Sequence, residues 1–445
     1  MSNAVPGRVV AVGGRTVTID HYGRCKTSLN EFLDLNLGDY VYTRGGYVVS
    51  QASPAEAESI IAAWKKIFFE PEGTDLRASR MPQASRDRKL GWILDKSVEG
   101  EPLTDTQAEY LLGLEEQQGI DLLQRVANFI RHRHHGNRCW VQGIIDMADD
   151  GKKRRTHSAM SGQNGTVNLC RTTSGKILDV VGHAAALGFR TLVLQPGQAG
   201  RPTDDLAGLV AKAASRFPWM IFIACGEVSR GELRELHGAG ARGVLLPFET
   251  SDPALYKILH PKSSLEKRLE VLHRAREEGF LIATGGWTGL PGQSRRSLID
   301  DLRLASQLNA EVFSFGPFLS HPGAHRVECN LPRNTDILKL LAVARLLAPP
   351  RAKILAAGDL EIRDPGAYRP ALEAGCNALM FHIAPPMHRM LSRIEPGRME
   401  NFGDNERRLA AMLDLLNGLG LVPADFGGQL PSGQKLPGSP PFPLP

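Results

Sequence analysis

From residue 140 onward, short apolar runs alternate with helical stretches, and this alternation limits the possible folds more than any other feature. The strand-like runs are WVQGIID, TLVLQPG, WMIFIACGE, GVLLPFE, FLIATGG, EVFSFGPF, AKILAAG and NALMFHI. Apolar residues recur at helical spacing over 173–187, 204–216, 229–239, 264–278, 294–309, 333–347, 365–375 and 401–418. Eight βα units in about 280 residues predict an α/β fold, a (β/α)8 barrel of the TIM type. The alternative is a doubly wound open sheet.

The first part of the chain predicts a small, OB-like β-barrel domain. Its β-rich runs are VPGRVVAV, RTVTIDHY, CKTSLNEF and GDYVYTRGGYVVSQ, and a helix begins near Pro54. Farther along, Thr104 is a candidate N-cap with Gln107 three residues later. The organisation we expect is a β domain with its helix over 1–68, a linker over 69–94, the large barrel over 95–430 and a Pro/Gly-rich tail over 431–445.

Composition disfavours several functions. No apolar run reaches the ~18 residues of a membrane-spanning helix, and the N-terminus lacks a basic-then-apolar signal, so we expect a cytoplasmic protein without a membrane partner. The net charge of +5 over 445 residues is too small to indicate nucleic acid. The six cysteines are scattered, and no local set of thiolates has the spacing of a zinc or iron–sulfur site, so we expect no metal site.

The carboxyl ends of the barrel strands should form the functional face, here called the mouth. Its candidate catalytic residues are Glu227, Glu249 and His321. Two alternatives stay open: Glu249 could lie near the positive end of a helix, and His321 could belong to a turn. The ligand pocket that we predict is lined by Gln198, Glu227, Glu249, Thr250, Gly285, Gly286, Gln293, His321 and Gly358.

The loop after the first barrel strand is strongly basic. Lys152, Lys153, Arg154 and Arg155 are consecutive, and His157 follows them. Such a run indicates a site for an anion or an acidic partner. The alternative is a solvated loop.

Over roughly residues 95–430, the sequence resembles the HydE-type radical S-adenosylmethionine (SAM) proteins that help to mature [FeFe]-hydrogenase. The resemblance is carried by VQGIID, TLVLQPG, CGEVSRGELRELHGAGARGVLLPFETSDP, TGGWTGLPGQS, FGPFLSHPG and the AAG of strand seven. It implies that the barrel is of the radical-SAM-like kind.

The same resemblance shows departures from the family pattern. That family carries CxxxCxxC after strand one, and the thiolates hold a [4Fe–4S] cluster that binds and reductively cleaves SAM. The three positions fall here on Gly151, Arg155 and Ser158, while Gln198 replaces a glutamate and Pro247 replaces an arginine. We therefore expect a degenerate barrel with no [4Fe–4S] cluster and no other cofactor, in which SAM binding is not expected. An iron complex bearing carbonyl and cyanide is a candidate ligand.

Residues 1–66 resemble the HypC/HupF chaperones of [NiFe]-hydrogenase maturation. The start MSNAVPG and the later run LGDYVYTRGG carry this resemblance. The family's N-terminal cysteine, which helps to carry an iron–carbonyl–cyanide unit, falls on Ser2, and its histidine falls on Arg44. A domain that keeps this framework without the metal contacts is expected to dock a partner rather than to hold iron.

Both resemblances point to hydrogenase maturation. The function that we expect is an accessory or scaffold protein that binds a small ligand or iron-complex intermediate. Its expected partners are maturation proteins or a hydrogenase large subunit, and radical SAM chemistry is not expected because the cluster cysteines are replaced. One alternative is a non-radical lyase or hydrolase that uses the carboxylates of the mouth, with Cys225 as a further candidate nucleophile. The other is a purely structural adaptor.

Overall fold

The structure of this chain is a computed structural model. It describes residues 5–21, 24–31, 33–44, 46–62, 87–147, 174–196, 205–217, 219–318, 332–358, 360, 364, 366–383 and 405–424. The α/β fold expected from the sequence is confirmed: an eight-stranded parallel barrel follows a small five-stranded barrel. No helix in these ranges is long and apolar enough to cross a membrane.

The small barrel is closed by antiparallel pairing of its first and fourth strands. Its strands are β1 (Gly7–Gly13), β2 (Thr16–His21), β3 (Arg24–Leu29), β4 (Tyr40–Arg44) and β5 (Tyr47–Ala52), in the order β1-β2-β3-β5-β4. Alternation along β2 turns every second side chain inward, which buries Val17 and Ile19. Helix α1 follows over residues 54–62.

The large barrel contains the eight strands that the sequence predicts. They are β6 (Arg138–Met147), β7 (Thr191–Pro196), β8 (Met220–Ile223), β9 (Ala241–Leu245), β10 (Leu281–Thr284), β12 (Val312–Pro317), β13 (Lys353–Ala356) and β14 (Ala378–His382). Parallel pairing of β14 with β6 and of β10 with β12 closes the ring. The short strand β11 (Trp287–Thr288) extends the pairing along β12.

Helices surround the strands and cover their apolar outer faces. They are α2 (Arg88–Glu99), α3 (Asp105–Leu112), α4 (Gln117–His135), α5 (Ser174–Ala186), α6 (Leu206–Arg216), α7 (Arg230–Gly238), α8 (Pro253–Leu259), α9 (Leu265–Glu277), α10 (Arg295–Gln307), α11 (Asn334–Leu347), α12 (Tyr368–Glu373) and α13 (Asn405–Gly418). The expected N-cap at Thr104 is confirmed, because Thr104 and Gln107 form a reciprocal capping box.

The barrel interior is packed with apolar side chains rather than forming an open pore. One buried cluster joins residues of seven strands: Ile144, Val193, Met220, Phe222, Ala283, Val312, Leu355, Ala378 and Met380. At the base, the short strand β15 (Val422–Ala424) pairs in parallel with the first residues of β6. The interior and base are thus filled, and the functional groups collect at the mouth.

Candidate functional site

The ends of β9 and β10 bring together the mouth residues predicted from the fourth and fifth barrel strands. The Glu249 amide donates to the Gly285 carbonyl at 2.9 Å, and the Trp287 amide donates to the Glu249 carbonyl at 2.9 Å. These bonds form an isolated parallel bridge between Glu249 and Gly286. Glu249, Thr250, Gly285 and Gly286 therefore lie together, as expected for neighbouring strand ends.

Glu249 has an unusual backbone conformation. Its φ of 74° lies in the left-handed region, which costs a non-glycine residue about 1–2 kcal/mol. The two backbone hydrogen bonds to the neighbouring strand hold it there. Gly286 allows the close approach, since a Cβ at that position would lie 2.9 Å from the Glu249 carbonyl oxygen. A helix does begin soon after Glu249, but α8 starts at Pro253 with Asp252 as its N-cap, and the Glu249 carboxylate contacts His260 and Arg268.

The Glu249 carboxylate is held from two sides. His260 Nε2 lies 2.6 Å from Glu249 Oε2, and Arg268 Nη2 lies 3.7 Å from Oε1. Arg268 also donates from Nε to the Tyr256 hydroxyl at 2.9 Å. Burial raises the pKa of Tyr256, so this phenol stays protonated at neutral pH. The side chains of Glu249 and Arg268 are 19% and 13% exposed, so the pair is largely shielded from water without being sealed.

Glu227, the other predicted carboxylate, contacts the same chain segment. Its Oε1 accepts a hydrogen bond from the Ser263 hydroxyl. Ser263 follows His260 by one turn, and the Ser263 amide donates to the His260 carbonyl at 3.0 Å. The segment between α8 and α9 therefore contacts both predicted carboxylates.

Gln293 organises the glycine-containing turn after β11. Its Oε1 accepts from the amides of Gly289 and Leu290 at 2.9 and 3.2 Å, and its Nε2 donates to the Trp287 carbonyl at 2.8 Å. Gly289 needs its flexibility, because its φ of 91° is left-handed. Gln293 thus shapes the loop that follows Gly286.

Gly285 is required by the closure of the barrel. A Cβ at this position would lie 1.9 Å from the carbonyl oxygen of Ser314 on β12. We predict that Gly285→Ala lowers the free energy of unfolding by about 1–3 kcal/mol, because backbone must move to admit the methyl group.

Urea denaturation of Gly285→Ala and Gly226→Ala checks this prediction. Gly226 lies after β8 with open space around its Cβ direction and no left-handed φ, so its alanine variant should unfold like wild type. Equal stability of the two variants would contradict the steric argument.

The remaining predicted residues lie at another strand end of the mouth, in the small barrel or outside the described residues. Gly358 follows β13, where a Cβ would lie 2.8 Å from His382 Nε2 at the end of β14. Arg44 ends β4 of the small barrel. Outside the described residues are Ser2, Gly151, Lys152, Lys153, Arg154, Arg155, His157, Ser158, Gln198 and His321.

The described cysteines of the large barrel are poor nucleophiles. Cys225 is 5% exposed, and burial raises the pKa of its thiol to about 12. Burial likewise raises the pKa of Cys376 to about 12 and raises that of Cys139. Within the described ranges, no three His, Cys, Asp or Glu side chains converge to hold a metal ion.

The sequence analysis missed His260, Ser263 and Arg268. It also missed the buried Asp301, whose carboxylate accepts from the Ser251 amide and lies 3.4 Å from Gln293 Nε2. His260 and Ser263 lie around the short helix α8, whose Asp252-Pro253 start was a readable helix signal. Arg268 and Asp301 lie on helices flanking the mouth, where nothing in the sequence separates them from ordinary surface charges.

The chain is similar to curated proteins over most of its length. It is 27% identical over 338 residues to the [FeFe] hydrogenase maturase subunit HydE of Thermotoga maritima, covering 76% of this chain and 97% of that protein. It is 27% identical over 333 residues to 3-methylornithine synthase of Methanosarcina barkeri, covering 74% and 93%.

The chain is also similar to solved structures. The crystal structure of methylornithine synthase (PylB) superimposes with a TM-score of 0.62 at 26% identity, covering 75% of this chain and 97% of that one. The maturase HydG of Carboxydothermus hydrogenoformans shares the fold, with a TM-score of 0.59 at 17% identity and coverage of 85% and 87%.

These comparisons correct one expectation from the sequence. The absence of a [4Fe–4S] cluster, of SAM and of any other cofactor was inferred from Gly151, Arg155 and Ser158 at three positions of one loop. That expectation is wrong, because the family evidence points to both cofactors. Residues 169–305 match the model of the Radical SAM superfamily, so this part of the large barrel is similar to radical SAM domains, with HydE and PylB among the similar proteins.

Proposed function

We propose that this chain acts in the maturation of a metallo-hydrogenase and that its barrel mouth binds SAM. The observation that carries the proposal is the Glu249–Arg268 pair at the mouth of a radical SAM domain. Similarity to HydE over 97% of that protein's length supports the biological role.

The chemistry of this pair fits the amino-acid end of SAM. A carboxylate accepts hydrogen bonds from an ammonium group, and a guanidinium donates to a carboxylate. Glu249 and Arg268 present these complementary groups side by side. Gly285 and Gly286 allow the strand ends beside Glu249 to approach each other closely, because a Cβ there would meet the backbone oxygens of Ser314 and Glu249. When bound, SAM and its cluster supply a radical initiator.

The described residues do not fit the cluster itself. The three described cysteines of the large barrel are buried, and burial raises their thiol pKa values, whereas iron binds thiolates. The loop in which the family places its cysteines lies outside the described residues. We therefore assign none of the described residues to iron.

The barrel mouth is also proposed to hold a cargo, and the first domain to bind partner proteins. A small ligand or an iron-complex intermediate is the proposed cargo of the mouth, with the basic loop at 152–155 as a site for its anionic groups. Residues 1–68 are proposed to form a HypC-like domain that docks maturation proteins or a hydrogenase large subunit. We propose a linker over 69–94, of which residues 88–94 belong to the packed helix α2, then a barrel domain over 95–430 and a tail over 431–445.

A second candidate function is supported by the Glu249–His260 contact. A carboxylate 2.6 Å from an imidazole is an arrangement that can accept and return a proton. A non-radical lyase or hydrolase would use this pair directly. We rank it second because Glu249, His260 and the buried Cys225 do not form a nucleophile–base–orienter set.

Deletion of the gene in a host with a hydrogenase tests the proposed role. We expect hydrogenase activity to fall at least tenfold while the hydrogenase polypeptide persists, and a plasmid copy should restore it. Full activity in the deletion strain would contradict the proposal.

Protein purified without oxygen from such a host identifies the bound groups. Iron with acid-labile sulfide is the expected result for a radical SAM protein, and infrared carbonyl and cyanide bands would identify an iron-complex cargo. Iron-free protein that binds no SAM, but retains an activity lost in Glu249→Gln, would favour the lyase or hydrolase.

A further inference from the structure

A buried carboxylate connects the two loops that shape the mouth. Asp301 lies on α10 and is fully buried. Its Oδ1 accepts two hydrogen bonds from Ser251, from the amide at 2.5 Å and from the hydroxyl at 2.6 Å. Its Oδ2 lies 3.4 Å from Gln293 Nε2. One side chain thus contacts both the loop after β9 and the turn after β11.

The loop after β9 is closed at both ends, which makes its anchor important. It begins at Glu249 and returns through α8 to His260, which contacts the Glu249 carboxylate at 2.6 Å. Ser251 lies two residues after Glu249, between the left-handed residue and the N-cap of α8. The hydrogen bonds to Asp301 fix the chain where it leaves the strained position.

The contact between Asp301 and Gln293 supports Glu249 through the neighbouring strand. Gln293 binds the Trp287 carbonyl, and the Trp287 amide binds the Glu249 carbonyl. A Cβ on Gly286 would lie 3.4 Å from Asp301 Oδ2, so this carboxylate packs directly beneath the bridge. The backbone of Glu249 is therefore supported by Asp301 along two routes.

We propose that Asp301 is a positioning residue that latches these two loops and so sets the orientation of the Glu249 carboxylate. The contacts of Asp301 exist in the protein without a ligand, so the latch does not depend on SAM binding. Only the expected effect of Asp301 on ligand affinity rests on the proposed function.

The electrostatic surroundings make the latch sensitive to pH. Burial is the largest cause that raises the pKa of Asp301 to about 6, and the carboxylates of Asp300 and Asp252 raise it further. The hydrogen bonds from Ser251 act in the opposite direction. Among the described residues, no Lys or Arg nitrogen pairs with this carboxylate; Arg296 and Arg303 on the same helix bind Asp105 instead. Protonation below pH 6 removes the cost of burying this charge, and because that cost outweighs the weaker acceptance by a neutral carboxyl, it stabilises the closed loops.

Hydrogen–deuterium exchange of the full chain tests the latch without any ligand. In Asp301→Ala, we expect the amides of 249–252 and 286–293 to exchange at least tenfold faster at pH 7.5, while the small barrel and α4 exchange as in wild type. Asp301→Asn keeps an acceptor for Ser251 and should show a smaller increase. Asp300→Asn is the matched control at pH 7.5, where Asp301 is ionised with or without this neighbour. Asp300 is partly exposed and binds Arg296, so this variant should match wild type at that pH.

The pH dependence of exchange distinguishes a role of the Asp301 charge from a role of its side-chain volume. After correction for intrinsic exchange, wild-type protection of these amides should rise severalfold between pH 7.5 and 5.0, because a carboxyl whose pKa is higher in the closed site than in the open one binds a proton that favours the closed site. Asp301→Asn, which cannot titrate, should show the same protection at both pH values. Local exchange in Asp301→Ala equal to that of Asp300→Asn would overturn the proposal. So would faster exchange throughout the chain, or an identical pH profile in Asp301→Asn and wild type.

SAM affinity of the same variants distinguishes this inference from the proposed function. Locally faster exchange together with weaker SAM binding supports both. The same exchange result in a protein that does not bind SAM supports the latch and contradicts the proposed function.

Discussion

Arg345→Met is expected to unfold with a free energy about 3 kcal/mol lower than that of wild type. Arg345 is fully buried on α11, and three oxygens accept from it: those of Gly375, Ala352 and the Asn377 side chain, at 3.0, 2.9 and 2.6 Å. A methionine would leave these acceptors without the guanidinium, and an unpaired buried polar group costs about 1–3 kcal/mol. The penalty exceeds what the apolar replacement regains.

The position of Arg345 explains why the effect should reach the whole barrel. The guanidinium joins α11 to the turns that precede β13 and β14, and it lies 3.2 Å from His135 Nε2 at the end of α4. Asn377 also accepts from the Ile354 amide, so the network fixes the start of two adjacent strands. Burial and the neighbouring Arg345 lower the pKa of His135 to about 2, which keeps this imidazole neutral.

Urea denaturation at pH 7.5 measures the loss. Arg351→Met is the matched control, because Arg351 is exposed after the same helix and should change stability by less than about 0.5 kcal/mol. Arg345→Lys should also be destabilised, since one ammonium does not reproduce the planar fork of donors. Wild-type stability in Arg345→Met would mean that the apolar contacts alone hold these strands.

The fold could be predicted because its signals are periodic and local. The eight barrel strands are short apolar runs separated by helices, and Thr104 with Gln107 marked a helix start correctly. Strand β15 could not be predicted, since Val-Pro-Ala is too short to show alternation and Pro423 is a poor strand residue. β15 forms because the first residues of β6, at the barrel base, are available to pair with it.

The sequence predicted only those site residues that lie at the carboxyl ends of barrel strands. Glu249 and Gly286 were identified because parallel strands end at one face, and they lie together. His260 and Arg268 reach Glu249 through α8 and α9, and sequence separation does not predict such contacts. Asp301 and the adjacent Asp300 have the same chemistry in the sequence, and only the packing of α10 buries the first and leaves the second partly exposed.

The incorrect cofactor expectation has a different origin. It was drawn from a few substituted positions in one loop, whereas the match to the Radical SAM superfamily extends over residues 169–305. Individual ligand positions change with a single substitution, while a domain is maintained by many packing residues. The match over residues 169–305 does not include the loop at 151–158, and it rests on many more residues than the three positions from which the expectation was drawn.

Glu249→Gln should weaken SAM binding at least tenfold if the mouth is used as proposed. The substitution keeps the size of the side chain but removes the charge that would bind an ammonium group, and a hydrogen bond to a charged group contributes about 1.5–3 kcal/mol. A tenfold loss corresponds to about 1.4 kcal/mol. The variant also presents an amide to His260 and Arg268, so the remaining side chains of the site should reorient.

Isothermal titration with SAM at pH 7.5 measures this loss, and two variants define its source. Glu270→Gln is the matched control, because Glu270 is exposed on α9 and pairs only with Arg274 among the described residues; its affinity should equal that of wild type. His260→Asn removes one support of the carboxylate while leaving its charge, so its affinity should lie between those of wild type and Glu249→Gln. Unchanged affinity in Glu249→Gln would remove this carboxylate from the binding site and place SAM elsewhere in the mouth.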